Sequence, residues 1–378
     1  RESHFSTERY YWMADSYPAA NISLRSASPG SYVLQAETGS TPGMRTVGIV
    51  DAESALWMVH PGAVYLHEGQ PYLVESLDLE QKIARLQPFD GDYLTESIQH
   101  TSIEVLSINQ QESPQAASYG THSRSWGELK VTTQVVGFRR MRWLSRENLG
   151  EHPLDLPPTD LQTTGYWLSI APETIERLGR EGLWTNFPND YGPSWTQLRD
   201  SIRKRDDYRC QVCGQLETSR QHEVHHKVPF RLFRDESGHP LRDKANQPGN
   251  LVTLCASCHK QVEQNIRVRS GLSGLAYALG NLAPIFLMCD PSDLGNHVEP
   301  GRSEAFPDPS VVLYDLVPAG IGFSQKLYEM HTDLLARALE LVQNCPCESG
   351  CPSCVGPGGE NGQGGKLEAL ALMKLLVG

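Results

Sequence analysis

The chain reads as an α+β protein: a β-rich N-terminal part, a helical C-terminal part, and a small cysteine- and histidine-rich domain inserted between them. Three observations predict this. The first 160 residues hold short apolar–polar alternations separated by turn residues, the pattern of strands. Eight of the nine cysteines fall into two tight sets, at 210–258 and 345–354. Near the C-terminus, apolar residues recur at helical spacing. The expected boundaries are 1–190, 191–268 and 269–378, with the outer two parts forming one module split by the middle one.

Taken in order, GAVYLHEGQPYLVESLD (62–78) predicts two strands about a Glu-Gly-Gln turn, and VTTQVVGFRRMRWLS (131–145) a longer strand. The polar stretch 110–128 reads as an exposed loop and the Pro-rich 152–162 as a crossing segment. GLSGLAYALGNLAPIFLMCD (271–290) predicts helix followed by strand. SQKLYEMHTDLLARALELVQ (324–343) predicts one amphipathic helix, with apolar residues at 327, 334, 335, 338, 339 and 342. Seven Gly and three Pro in 346–365 exclude regular structure there, and 367–377 closes as a short helix. Asp290, Asp293 and Asp315 read as caps and turns.

No apolar run of about 18 residues predicts a membrane span, and no basic-apolar-small leader opens the chain. Close-set cysteines in such a chain indicate metal ligands in a reducing compartment, so a cytoplasmic protein is expected. The start at Arg1, without Met, suggests a piece of a longer polypeptide. The net charge of −12 argues against nucleic acid as a partner. Residues 199–234 run the other way, with nine Lys/Arg against five Asp/Glu. Arg203, Lys204, Arg205, Arg209, Lys227 and Arg231 are therefore candidates for phosphate neutralisation.

The basic stretch coincides with the first metal constellation. CQVC (210–213) and CASC (255–258) are CxxC knuckles 41 residues apart. Cys210, Cys213, Cys255 and Cys258 supply four thiolates to one tetrahedral zinc with no open position, a structural site. A domain of this size has too small a core to do without such a staple. The four thiolates leave His225, His226 and His259 surplus. His225 and His226 fall on an expected strand, EVHH (223–226). Asn250 opens the turn before a second, LVTL, and His259 begins an expected helix. His222 reads as surface.

Strand, strand, helix with His-Asn-His resembles the ββα-metal core of HNH endonucleases, in the subgroup held by two CxxC pairs. It is also similar to the colicin-type nuclease motif, with Glu223 two residues before the first His of the pair. The resemblance covers 60–70 residues. It implies a DNA phosphodiesterase using Mg²⁺, Mn²⁺ or another divalent ion and leaving 5′-phosphate and 3′-hydroxyl ends. It also implies roles: His226 is the general base, His225 and His259 hold the ion, and Asn250 ties the loop that orients the base. Glu223 accompanies them as a catalytic residue. Glu263, one helical turn after His259, stands where many members have a histidine, and is a candidate third ligand. An imidazole titrates in the range that the base role requires.

CPCESGCPSC places Cys345, Cys347, Cys351 and Cys354 where one short loop can wrap an ion. Zinc fits, and an iron–sulfur cluster accepts the same four thiolates. With LYDLVPAGIGFSQKLYE (313–329) before it, this end resembles the MrfA-like zinc-binding domain of DEAD/DEAH-box helicases of the mitomycin-repair type. YPAANISLRSASPGSYVL (17–34), WMVHPGAVYLHEGQPYLVESLDLE (57–80) and MCDPSDLG (288–295) match segments that follow the motor in that family. DNA and an ATPase motor, in the same polypeptide or a partner chain, are the implied partners. No GxxxxGK(S/T) occurs, and GENGQGGKLEA (359–369) reads as a linker. The expected function is the nuclease-bearing C-terminal part of a helicase–nuclease acting on foreign DNA. The alternative is a non-catalytic, zinc-stapled DNA-binding module.

Overall fold

A computed structural model describes residues 30–37, 44–112, 122–145, 147–181, 191–218, 220–228, 230, 233, 241–301, 303–356 and 365–377. The architecture is mixed α+β, as expected. The chain forms two compact units, one of residues 1–102 and 132–160, the other of 103–131 and 161–378. The N-terminal β-rich part, taken from sequence as 1–190, is thus divided between them.

The first unit holds β1 (Ser31–Glu37), β2 (Met44–Asp51), α1 (Ala52–Met58), β3 (Val64–His67), β4 (Gln70–Asp78) and β5 (Ile83–Pro88). Their sheet order is β2-β1-β5-β4-β3, with β1 and β5 parallel. Tyr32, Leu34 and Ala36 alternate into a core with Val50, Val74, Ala84 and Leu86. The β3–β4 hairpin turns at Glu68 and Gly69, both at positive φ, the two-residue turn whose twist suits a hairpin. Two long strands follow, β6 (Tyr93–Glu112) and β7 (His122–Arg142), each contributing residues to both units. They claim both ends of the stretch expected as a loop, while 113–121 lie outside the described residues. β8 (Asn148–Pro153) pairs with Gly137–Met141 of β7.

The second unit continues with β9 (Thr159–Ile170), α2 (Pro172–Arg180), α3 (Trp195–Arg205), β10 (Glu223–His226), α4 (Arg242–Ala245), β11 (Leu251–Leu254) and α5 (Ala256–Leu287). β12 (Leu294–Glu299), β13 (Ser310–Asp315), α6 (Phe323–Glu329), α7 (His331–Asn344) and α8 (Lys366–Val377) complete it. Its sheet runs β12-β13-β9-β7-β6. Tyr166, Leu168 and Ile170 of β9 and Val311 and Leu313 of β13 face a large helical core. The alternate residues Trp167, Val312 and Tyr314 face the other side with Phe306 and Leu129.

Helix α5 corrects one expectation: it runs 32 residues without a break, so the stretch from 271, expected as helix then strand, is helix as far as Leu287. By length and mean hydropathy it could cross a bilayer. Here Leu272, Leu275, Ala276, Leu279 and Ala283 instead build the core of the unit. The single amphipathic helix expected at 324–343 is two, α6 and α7, meeting at Met330. Buried Asp315 accepts from the amides of Ile321 (2.8 Å), Phe323 (3.3 Å) and Ser324 (3.1 Å), and so holds the start of α6. Asp290 and Asp293 cap a short 3-10 turn.

Candidate active site and metal centres

Four elements build the inserted domain: α3, the β10–β11 hairpin and the first turns of α5. Its core is small. Ile202, Val224 and Leu251 form one buried cluster, and Cys210, Leu254 and Cys255 another. The first knuckle is anchored by Gln211 N–H donating to Thr253 O (2.9 Å), and Cys255 N-caps α5. The thiols of Cys210, Cys213, Cys255 and Cys258 lie within 4.8 Å of one another. The Ser257 hydroxyl, 3.2 Å away, is the chief cause drawing the Cys255 thiol down to about 6, while the hydrogen bond between Cys258 and Cys255 pushes the Cys258 thiol up to about 12. Thiols crowded on one point share protons in this way, and a dication replaces those protons.

The second set is tighter. Sγ–Sγ separations are 3.6 Å for Cys345–Cys347, 3.5 Å for Cys345–Cys351, 3.4 Å for Cys347–Cys354 and 3.7 Å for Cys351–Cys354. A tetrahedron with Zn–S bonds of about 2.3 Å has edges of about 3.8 Å, so the loop is close to zinc geometry. The N–H of Ser353 is the main influence lowering Cys351 to about 7, and burial raises Cys354 to about 12. Lys366, expected in a linker, is the first residue of α8. It is buried and donates from Nζ to Cys345 O (2.5 Å) and Cys347 O (2.6 Å). Residues 357–364 of that stretch lie outside the described residues.

The strand–strand–helix order around the histidines is the one expected. β10 pairs antiparallel with β11, His226 opposite Leu251 and Glu223 opposite Leu254. Strand alternation separates the two adjacent histidines. Glu223 and His225 face α5. The His225 ring lies 5.2 Å from the His259 ring, and His259 Nδ1 is 2.7 Å from Glu223 Oε2. Val224 and His226 face α3. The buried His226 ring stacks 5.1 Å from Tyr191 and 5.1 Å from Trp195, and meets Phe230 edge-on at 5.6 Å. Its Nε2 lies 3.0 Å from Asn246 Oδ1.

Asn250 ties the loop after β10 from three sides. Its Oδ1 accepts from Val228 N–H (2.8 Å), and its Nδ2 donates to Val228 O (3.2 Å) and Ala245 O (2.9 Å). Its carbonyl accepts from Lys227 N–H (2.8 Å). Among the described residues, only the cysteine sets bring three or more ligand atoms within 4.8 Å. The Glu223–His225–His259 group is looser, and the Glu263 side chain lies outside the described residues.

The basic candidates separate. Arg203 is buried, with Glu217 at 2.5 Å and Asp200 at 2.8 Å. Arg205 is engaged by Asp206 and by the carbonyls of Pro248 (2.7 Å) and Leu251 (2.8 Å). Lys204, Arg209 and Lys227 are exposed, Lys227 reaching Gly249 O at 2.9 Å, and Arg231 lies outside the described residues. His222, expected at the surface, is buried and bonded to Gln215 O (2.9 Å). Tyr191, Trp195, Phe230 and Asn246 around His226, and Lys366 beside the second cluster, were not legible in the sequence. None stands at a motif spacing that would have pointed to it.

Against known proteins, the HNH endonuclease family model matches residues 210–265, and the MrfA Zn-binding domain model matches 275–355. The chain is 26% identical over 354 residues to the uncharacterized ATP-dependent helicase YprA of Bacillus subtilis (strain 168), covering 93% of this chain and 35% of YprA. It is 19% identical over 372 residues to the ATP-dependent helicase HRQ1 of Saccharomyces cerevisiae, covering 94% of this chain and 27% of HRQ1. It therefore spans about a third or less of these helicases. It also belongs with the uncharacterized protein MJ1572.1 of Methanocaldococcus jannaschii, 36% identical over 76 residues, which make up 20% of this chain and 68% of that one. The crystal structure of the DUF1998 helicase MrfA bound to DNA shares the fold, with a TM-score of 0.50 and 24% identity over 98% of this chain and 37% of that one.

Proposed function

We propose that this chain, which joins an HNH endonuclease domain to a MrfA Zn-binding domain, is the metal-dependent DNA-cleaving part of a helicase–nuclease. The observation that carries the reading is the convergence of Glu223, His225 and His259 on one side of β10, while Asn250 pins the loop leaving that strand. A divalent ion held by His225 and His259 would supply positive charge against the phosphate and the leaving oxygen. Two imidazoles suit Mn²⁺ or a later transition ion better than Mg²⁺, which prefers oxygen. Glu223 accepts Nδ1–H of His259, which leaves Nε2 as that ring's ligand nitrogen and makes the carboxylate an orienting group. His226, the neighbour of the ligand His225 on β10, takes the proton from the attacking water.

The motor, in the same polypeptide or a partner chain, would deliver the DNA. Foreign DNA in the cytoplasm is the target we assign, because a DNA motor joined to a DNase suits destruction of whole molecules. Plasmid cleavage with Mg²⁺ or Mn²⁺ is the test. His226→Ala is expected to lower the rate at least about 100-fold, the scale of general-base loss, with zinc content unchanged. Equal cleavage by the variant would remove the enzymatic reading. A second reading, a zinc-stapled DNA-binding module, is favoured by the burial of His226 among Tyr191, Trp195 and Phe230. It predicts DNA binding with no metal-dependent cleavage by the wild-type chain.

A further inference from the structure

We infer that Asn246 is the positioning residue for His226, fixing its tautomer and ring orientation through a neutral amide; the inference rests on the nuclease reading of the same site. Asn246 follows α4, four residues before Asn250, and lies outside the His-Asn-His pattern. Its two amide atoms are both engaged and cannot be exchanged. Nδ2 donates to Tyr191 O at 2.9 Å, a carbonyl that can only accept. That assignment leaves Oδ1 towards His226 Nε2 at 3.0 Å, and a carbonyl oxygen there requires Nε2–H. Whenever the ring is neutral, Nε2–H is thus the tautomer that this contact selects.

The ring plane is set by the same unit. Tyr191, whose carbonyl anchors Asn246, stacks on His226 at 5.1 Å with 16° between planes, and Trp195 stacks at 5.1 Å with 15°. Phe230 closes the edge. Tyr191, Asn246 and His226 therefore form a closed circuit: carbonyl to amide, amide to imidazole, imidazole to phenol face. Rotating the His226 ring breaks the hydrogen bond and both stacks together.

The site then uses two kinds of partner. His259, the ligand, is oriented by the carboxylate of Glu223; His226, the base, is oriented by an uncharged amide. Each imidazole has one nitrogen against a protein oxygen acceptor, and that contact sets the orientation of the ring.

Asn246→Ala in the full chain tests this. In wild type, ¹⁵N spectra of the histidine rings, with His226 assigned by its absence in His226→Ala, should show the Nε2–H form. Asn246→Ala should show mixed tautomers or the Nδ1–H form. Plasmid cleavage should fall about 10- to 100-fold in kcat with little change in KM for DNA, the pattern of a lost orienting contact. The double variant His226→Ala/Asn246→Ala should be no slower than His226→Ala alone, because Asn246 acts only through that ring. An unchanged His226 tautomer in Asn246→Ala, or additive losses in the double variant, would overturn the inference. If wild type cleaves nothing with any divalent ion, the nuclease reading falls, and the tautomer measurement alone decides whether Asn246 holds His226.

Discussion

The two four-cysteine centres sit in one compact unit and differ in what surrounds them. The first draws its ligands from residues 210 to 258, joining a turn to the first turn of α5 over two buried clusters of three residues each. The second gathers its ligands within 345–354, against the large core of β9, β13 and helices α5–α8, where Cys354 and Val355 are buried. The same chemistry therefore does unequal structural work. In the first case the ion substitutes for a core; in the second it finishes the edge of one.

The comparison breaks first at Cys255→Ser. The variant should hold one zinc per chain, and the inserted domain should unfold, since zinc contributes on the order of 10 kcal/mol to modules of this size. Limited proteolysis should cut between α3 and β11, while the C-terminal half of α5 stays protected by its own core. Cys351→Ser should also hold one zinc, yet it should lower the melting temperature without opening the inserted domain. Equal protease sensitivity in both variants would show that the centres are equivalent.

Arg203→Ala comes next in size. Its guanidinium is buried against Glu217, whose side chain is only 11% exposed, and the hydrogen bond from Arg203 holds that carboxyl below its ordinary range. Removing the arginine strands a buried carboxylate, which costs about 3–5 kcal/mol. In a domain with so small a core, the expected result is a large loss of stability with little change in the salt dependence of DNA binding. A change in salt slope without a stability loss would restore Arg203 to the DNA-contact role that the sequence suggested.

What could be read in advance follows the same division. Close-set ligands and periodic strands were legible because their spacing is the geometry: CxxC makes a knuckle, EVHH makes a strand, and Asn250 and His259 stand at fixed distances from them. The partners of His226 were not, because Tyr191 and Asn246 meet it through tertiary packing from 35 residues before and 20 after. The charge of Arg203 was visible, but its burial was not: nothing in RKR distinguishes the arginine that turns inward from the lysine beside it. The apolar stretch at the end of α5 is compatible with helix or strand by its sequence pattern alone. Burial of Leu279 and Ala283 in the helical core decides for helix.

Lys366 sharpens the contrast at a smaller scale. It brings a buried positive charge to the carbonyls of Cys345 and Cys347, and thereby beside a centre whose four thiolates give zinc a net charge of −2. The first centre has no such lysine among the described residues. Lys366→Met should lower zinc retention at the second centre about 10- to 100-fold, the usual range for a lost supporting contact, and leave the first centre loaded. Chelator competition followed by metal analysis reads this directly, and equal loss from both centres would mean that the lysine acts on overall stability.

The smallest effect tests the exposed half of the basic stretch. Lys204 and Arg209 are solvent-exposed on the domain whose Arg203 and Arg205 are spent on internal contacts. If they neutralise phosphates, Lys204→Ala and Arg209→Ala should each reduce the slope of log K against log salt by about 0.9, with stability changed by less than about 0.5 kcal/mol. Binding to unrelated DNA sequences should weaken equally, because a phosphate contact carries no base information. An unaltered slope in both would move the DNA path off this face of the inserted domain, and the comparison would then be between the histidine site and a binding surface built elsewhere in the unit.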